Sequence, residues 1–192
     1  MKKEFVERKE YNNVISVKLV LPSKCICECP FCYNNDYRNK MGGVRNTKSF
    51  LDNYLKSLDN IINKIGDKNP ISLDITGGEP THDVDLLNRV LQELYDYKIN
   101  NKVDRVTMTT NTENLYPVLH SVSKVVNYVN FSIHDFRLNI RKQIMGLDIL
   151  DSFYYLLIQQ LLDSGIKTSA IAVIHEEIPD FSLWSIRHIS GD

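Results

Sequence analysis

Apolar residues recur along the chain in two alternating rhythms. Short β-rich runs appear at Val14–Leu21, Ile71–Thr76, Val103–Thr110, Val125–Ile133 and Ile166–Ile174. Between them the apolar positions step by three and four, as on one face of a helix. Leu51, Leu55, Leu58, Ile62 and Ile65 mark a helix over Thr47–Ile65, and Leu87, Val90, Leu91 and Leu94 mark a second. A shorter helix is expected over Asn114–Ser123, another over Ile149–Leu162 stopped near Gly165, and a last one over Phe181–Ile189. Strand followed by helix, with connections of this length, builds parallel β/α units. The fold class is therefore α/β: an open parallel sheet forming a partial (β/α) barrel of about five to six units. A single domain over residues 1–192 is expected, and the chain stops before the sixth strand of a six-unit version. It reads as a short member or as a fragment truncated at the C-terminus.

Composition narrows the partners. The 192 residues carry a net charge of −1 with both signs interspersed, so no broad electrostatic grip on nucleic acid or anionic membrane is expected. No run of about 18 apolar residues suggests a membrane span, and Met1-Lys2-Lys3-Glu4 opens no secretory signal. All four cysteines, Cys25, Cys27, Cys29 and Cys32, lie within eight residues. Such crowding cannot staple a domain of this size with disulfides, which places the chain in a reducing cytoplasm.

The cysteine loop follows directly on the first strand, broken by Pro22, and so belongs at the C-terminal mouth of the sheet, where β/α folds keep their sites. Soft thiolates suit an Fe–S cluster or zinc. A structural zinc site draws on four thiolate or imidazole ligands, usually in two separated pairs, and the histidines form no such pair with these cysteines. Cys25, Cys29 and Cys32 read C-x3-C-x2-C and fill three irons of a cubane, leaving one open; Cys27 reads as a bystander thiol. After the second strand comes Gly77-Gly78-Glu79-Pro80, where glycine allows close backbone approach to a ligand or simply an ordinary β/α turn.

Together the cysteine triad and the Gly-Gly-Glu-Pro string resemble the radical S-adenosylmethionine (SAM) enzyme superfamily, and the order of strands and motifs matches that family's partial barrel over nearly the whole chain. The resemblance implies a [4Fe-4S] cluster held by Cys25, Cys29 and Cys32, with SAM chelating the open iron through its amino and carboxylate groups. It places Phe31 against the adenine and the backbone of Gly77, Gly78 and Glu79 at the methionyl amino group. Ser132 would reach the SAM ribose or carboxylate, and Thr110 and Asn111 would line the substrate side. For Asn111 and Asp135 a helix-capping role competes.

The activity so implied is an oxidoreductase or lyase type of enzyme. A one-electron donor of flavodoxin or ferredoxin type reduces the cluster, and SAM is cleaved to methionine and a 5′-deoxyadenosyl radical that abstracts hydrogen from a small-molecule or protein substrate. The alternative is a non-catalytic Fe–S or zinc module for binding or redox sensing. With only Cys27 spare, this chain can assemble no auxiliary cluster. That turns the reading away from sulfur inserters and many peptide-maturing members, and towards small ones such as glycyl-radical activating enzymes and deazaguanine-forming synthases. His134 reads as a polar residue at the mouth able to move protons, but no residue is assigned to acid–base catalysis. Arg137 and Arg141 are expected on the solvent side of the following helix, and Tyr33–Arg45 as a polar loop covering the cluster.

Overall fold

The computed structural model describes residues 14–32, 47–65, 69–135 and 137–173. Five strands, β1 (Ile15–Leu21), β2 (Ile71–Gly77), β3 (Arg105–Thr110), β4 (Tyr128–Ser132) and β5 (Lys167–Ile171), form one sheet in sequence order. Every neighbouring pair is parallel. The helices α1 (Thr47–Ile65), α2 (Val84–Ile99), α3 (Leu115–Val125), α4 (Leu138–Met145) and α5 (Asp151–Asp163) fill the crossovers. This is the open β/α sheet expected from the sequence, and it brings every loop that follows a strand to the same rim.

The core lies between the sheet and the helices. Leu19, Leu73, Ile75, Val106, Met108 and Val129 are fully enclosed on the strands, facing Leu58, Leu87, Leu94, Val118 and Leu157 on the helices. These β-branched and aliphatic residues suit a pleated surface covered by helices. α2 starts cleanly because the Asp83 carboxylate accepts from the Leu86 N–H at 2.9 Å, a capping bond on an otherwise orphan donor. β5 is mostly exposed and, among the described residues, has a strand neighbour on one side only.

Two expectations differ from what is observed. The segment after β4 is two helices, broken at Gly146, which takes φ +73° and donates its N–H to the Lys142 carbonyl. Glycine closes a helix in this left-handed conformation without the Cβ penalty, and the sequence rhythm of α5 had masked the short helix before it. Arg141 does not face solvent: it is fully buried. Its guanidinium donates to the Asp135 carbonyl at 3.2 Å, to the Ile149 carbonyl, and to the Asp151 carboxylate at 2.9 Å, and it stacks over the Tyr154 ring at 4.7 Å. A planar fork of donors is suited to this task, and it ties the end of β4 to the α4–α5 connection. Arg137 stays half-exposed and pairs with Asp135 at 2.7 Å. The expected helix over Phe181–Ile189 and the loop Tyr33–Arg45 lie outside the described residues.

Candidate functional site

The site starts where β1 ends. After Pro22 the chain turns across the mouth of the sheet, and a bond from the Cys32 N–H to the Cys29 carbonyl (3.1 Å) closes the far end of the loop. Cys27 and Cys29 are buried, with Cys25 and Cys32 partly open. A small apolar cluster backs the loop: Ile144, Met145 and Leu147 from the end of α4 pack against Cys27 and Cys29. The Glu28 N–H donates to the Met145 carbonyl at 3.3 Å, so the connection that Arg141 anchors also supports the cysteines.

β2 delivers the glycines, and their purpose differs from the one expected. A Cβ on Gly78 would lie 2.0 Å from the Ser23 carbonyl oxygen and 3.0 Å from the Lys24 carbonyl group. On Gly77, where φ is +148°, it would meet the Leu21 oxygen at 2.3 Å. The close approach is thus between β2 and the backbone leading into the cysteine loop. The Glu79 N–H completes the junction by donating to the Lys24 carbonyl at 2.9 Å. The Glu79 carbonyl accepts from the His82 N–H at 3.1 Å, so what remains available to a ligand here is the edge of the turn at the Gly78 carbonyl, not the Glu79 N–H.

Glu79 itself is a knot between β2 and β3. Its Oε1 accepts from the Thr81 N–H (2.9 Å), the Thr81 hydroxyl (2.7 Å) and the Thr110 hydroxyl (2.5 Å), and its Oε2 from the Asn111 N–H (2.6 Å). Burial pushes this carboxyl up, and the bonds from Asn111, Thr110 and Thr81 pull it part of the way back. The Thr110 hydroxyl also accepts from the Thr112 N–H at 2.9 Å. The polar atoms of Glu79 and Thr110 are therefore engaged within the protein, although both residues line the cavity.

β4 ends in Ser132, and His134 follows two residues later. The His134 Nδ1 accepts from the Val173 N–H at 3.2 Å, which leaves the ring proton on Nε2. Its ring meets Phe31 edge-on with centroids 4.7 Å apart. Burial lowers the imidazole to about 4, so it is neutral near pH 7. Asp135 is also enclosed, yet its bonds from the Arg137 N–H and guanidinium outweigh burial and hold its carboxyl below the usual range. The low imidazole value has a measurable consequence. The unfolded chain takes up this proton near pH 6.5 and the folded one only near pH 4, so stability drains away as pH falls between them, by up to about 3 kcal/mol. Melting of the metal-free protein at pH 7.5 and pH 5 should show a smaller difference in His134→Asn, asparagine being at ease at the observed φ of +61°. An unchanged difference would contradict the burial of a neutral ring.

Cysteines 25, 29 and 32, Phe31, Gly77, Gly78, Glu79, Thr110, Asn111 and Ser132 all line one cavity of about 230 Å³ at the C-terminal rim. These ten candidate site residues are thus brought to the same place. Sequence reasoning missed Met145, which lines the cavity from a helix too short to declare itself, and undervalued Cys27. The Cys27 sulfur accepts a hydrogen bond from the Asn111 amide at 3.0 Å, and its thiol lies within bonding reach of Cys25 and Cys29. Those two neighbours, followed by burial, push the Cys27 thiol far up, so it stays protonated. The chemistry of the donor set fits an iron–sulfur cluster: three soft thiols face one cavity, and thiolates are the ligands such clusters take, each on a separate iron.

The sequence profile of the 4Fe-4S single cluster domain matches residues 16–146, and the chain belongs to that family. The resemblance to radical SAM proteins read from the two motifs holds with it. The fold is shared with SuiB of Streptococcus suis, at a TM-score of 0.59 for one crystal structure and 20% identity over 91% of this chain. SuiB bound to S-adenosylmethionine and SuiB bound to the precursor peptide SuiA each match with a TM-score of 0.61. This chain spans 34–36% of the length of those SuiB chains. No curated protein matches it. Among the described residues no helix is long and apolar enough to cross a membrane.

Proposed function

We propose that residues 1–192 form one radical SAM core domain, part of a cytoplasmic enzyme that modifies a peptide by hydrogen abstraction. The observation that carries this reading is the convergence of the three motif cysteines, Phe31, the glycine turn and Ser132 on a single cavity. When bound, the cluster and SAM would supply a 5′-deoxyadenosyl radical on reduction by a flavodoxin- or ferredoxin-type donor. Cys25, Cys29 and Cys32 hold three irons as thiolates. The Gly78 carbonyl would accept from the methionyl amino group, since the Glu79 N–H already serves Lys24 and the Glu79 carbonyl already accepts from the His82 N–H. Phe31, held edge-on by His134, offers its ring to the adenine, and Ser132 its hydroxyl to the ribose or carboxylate.

A peptide substrate is favoured over a small molecule because SuiB, of the same fold, was solved with a precursor peptide. The lack of spare cysteines, which pointed away from peptide-maturing members, concerns only this stretch of about a third of the length of SuiB. The test is anaerobic reconstitution followed by dithionite and SAM. About four irons per chain, with release of methionine and 5′-deoxyadenosine that Cys29→Ala abolishes, is the expected result. One tightly bound zinc and no SAM cleavage would instead support a binding or sensing module.

A further inference from the structure

Asn111 carries more connections than a residue waiting for a substrate. It is buried at the end of β3, with its N–H given to Glu79 and its carbonyl accepting from the Tyr154 hydroxyl at 3.4 Å. The side-chain oxygen accepts from the Glu113 N–H at 2.9 Å. That bond fixes which way the amide lies, because a backbone donor must face the oxygen. The nitrogen is thereby turned onto sulfur, 3.0 Å from Cys27 Sγ and 3.5 Å from Cys25 Sγ.

From this geometry we infer that Asn111 is a positioning residue for the cluster: its amide holds the first half of the cysteine loop and donates to ligand sulfur, instead of meeting the substrate. The inference rests on the reading of Cys25 as a cluster ligand. An N–H aimed at cluster sulfur favours the reduced, more negative state and so raises the potential, as partners outside the ligand set do in iron–sulfur sites. The same bond ties the loop at Cys27 in the metal-free chain.

Two substitutions separate these roles from general damage. Asn111→Asp keeps shape and the oxygen that serves Glu113 but removes the donor, and Asn111→Ser keeps only a hydroxyl acceptor of the kind used in such turns. The measurements are the midpoint potential of the reconstituted full chain by EPR-monitored titration, and the rate of iodoacetamide alkylation of Cys27 in the metal-free protein. The potential should fall in both variants, further in the aspartate one, and alkylation should quicken roughly tenfold, the equivalent of one lost hydrogen bond. If a variant takes up no cluster, alkylation alone decides: faster modification with a retained melting transition supports the role, and wild-type kinetics overturns it. A wild-type cluster whose potential and whose Cys27 reactivity ignore both substitutions defeats the role of Asn111. A wild-type chain that holds no four-iron cluster defeats the functional reading itself.

Discussion

Gly78→Ala is expected to leave the chain unable to hold its cluster. The added methyl would sit 2.0 Å from the Ser23 carbonyl oxygen and 3.0 Å from the carbonyl carbon and oxygen of Lys24. Those are backbone atoms, so no rotamer change relieves the contact. Either β2 or the approach to Cys25 has to move, and the bond from the Glu79 N–H to Lys24 goes with it. Overpacking of this severity belongs with the costliest single substitutions, of order several kcal/mol. Gly146→Ala is the control. It has positive φ, at +73°, but open space around it, so the penalty is only the left-handed backbone, about 1–2 kcal/mol. Iron per chain after reconstitution, read beside melting temperature, checks the pair. Full iron in the Gly78 variant would show that the glycine serves only an ordinary turn.

The cysteines should divide three to one. Serine at 25, 29 or 32 removes a soft ligand that three-point attachment cannot spare, and each variant should lose the four-iron cluster. Cys27→Ala should keep it. Its sulfur sits under the Asn111 amide and outside the three-cysteine motif, so its loss removes packing and one sulfur contact and lowers the melting temperature by several degrees. Iron and acid-labile sulfide counts across the four variants give the answer. Loss from Cys27→Ala equal to that of its neighbours would make it a ligand.

The strands and long helices were legible because one face of the sheet and one face of each helix are buried, which imposes a period on the residues. α1, at Thr47–Ile65, was fixed to the residue by its stripe of leucines and isoleucines. α4 was not, since eight residues give barely two turns of pattern, and its terminating glycine was not recognised. The cavity was legible for a different reason. Parallel units send all strand ends to one rim, so motifs at the ends of β1, β2, β3 and β4 had to meet. The occupation of their polar atoms was not legible. Nothing in a one-dimensional pattern says that Glu79 binds two threonines and a backbone N–H of the neighbouring strand end, or that Asn111 turns its amide onto sulfur. Arg141 was misread for the same reason, because its partners are mostly backbone carbonyls that carry no sequence signature.

EPR of the reduced, reconstituted protein, recorded anaerobically with and without SAM, tests the central claim most directly. A cluster with three thiolate ligands and one open iron should change its spectrum when SAM is added. The change should be weaker with methionine and adenosine supplied separately, since neither alone both chelates the iron and fills the side of the cavity at Phe31. A four-iron spectrum indifferent to SAM would contradict the account.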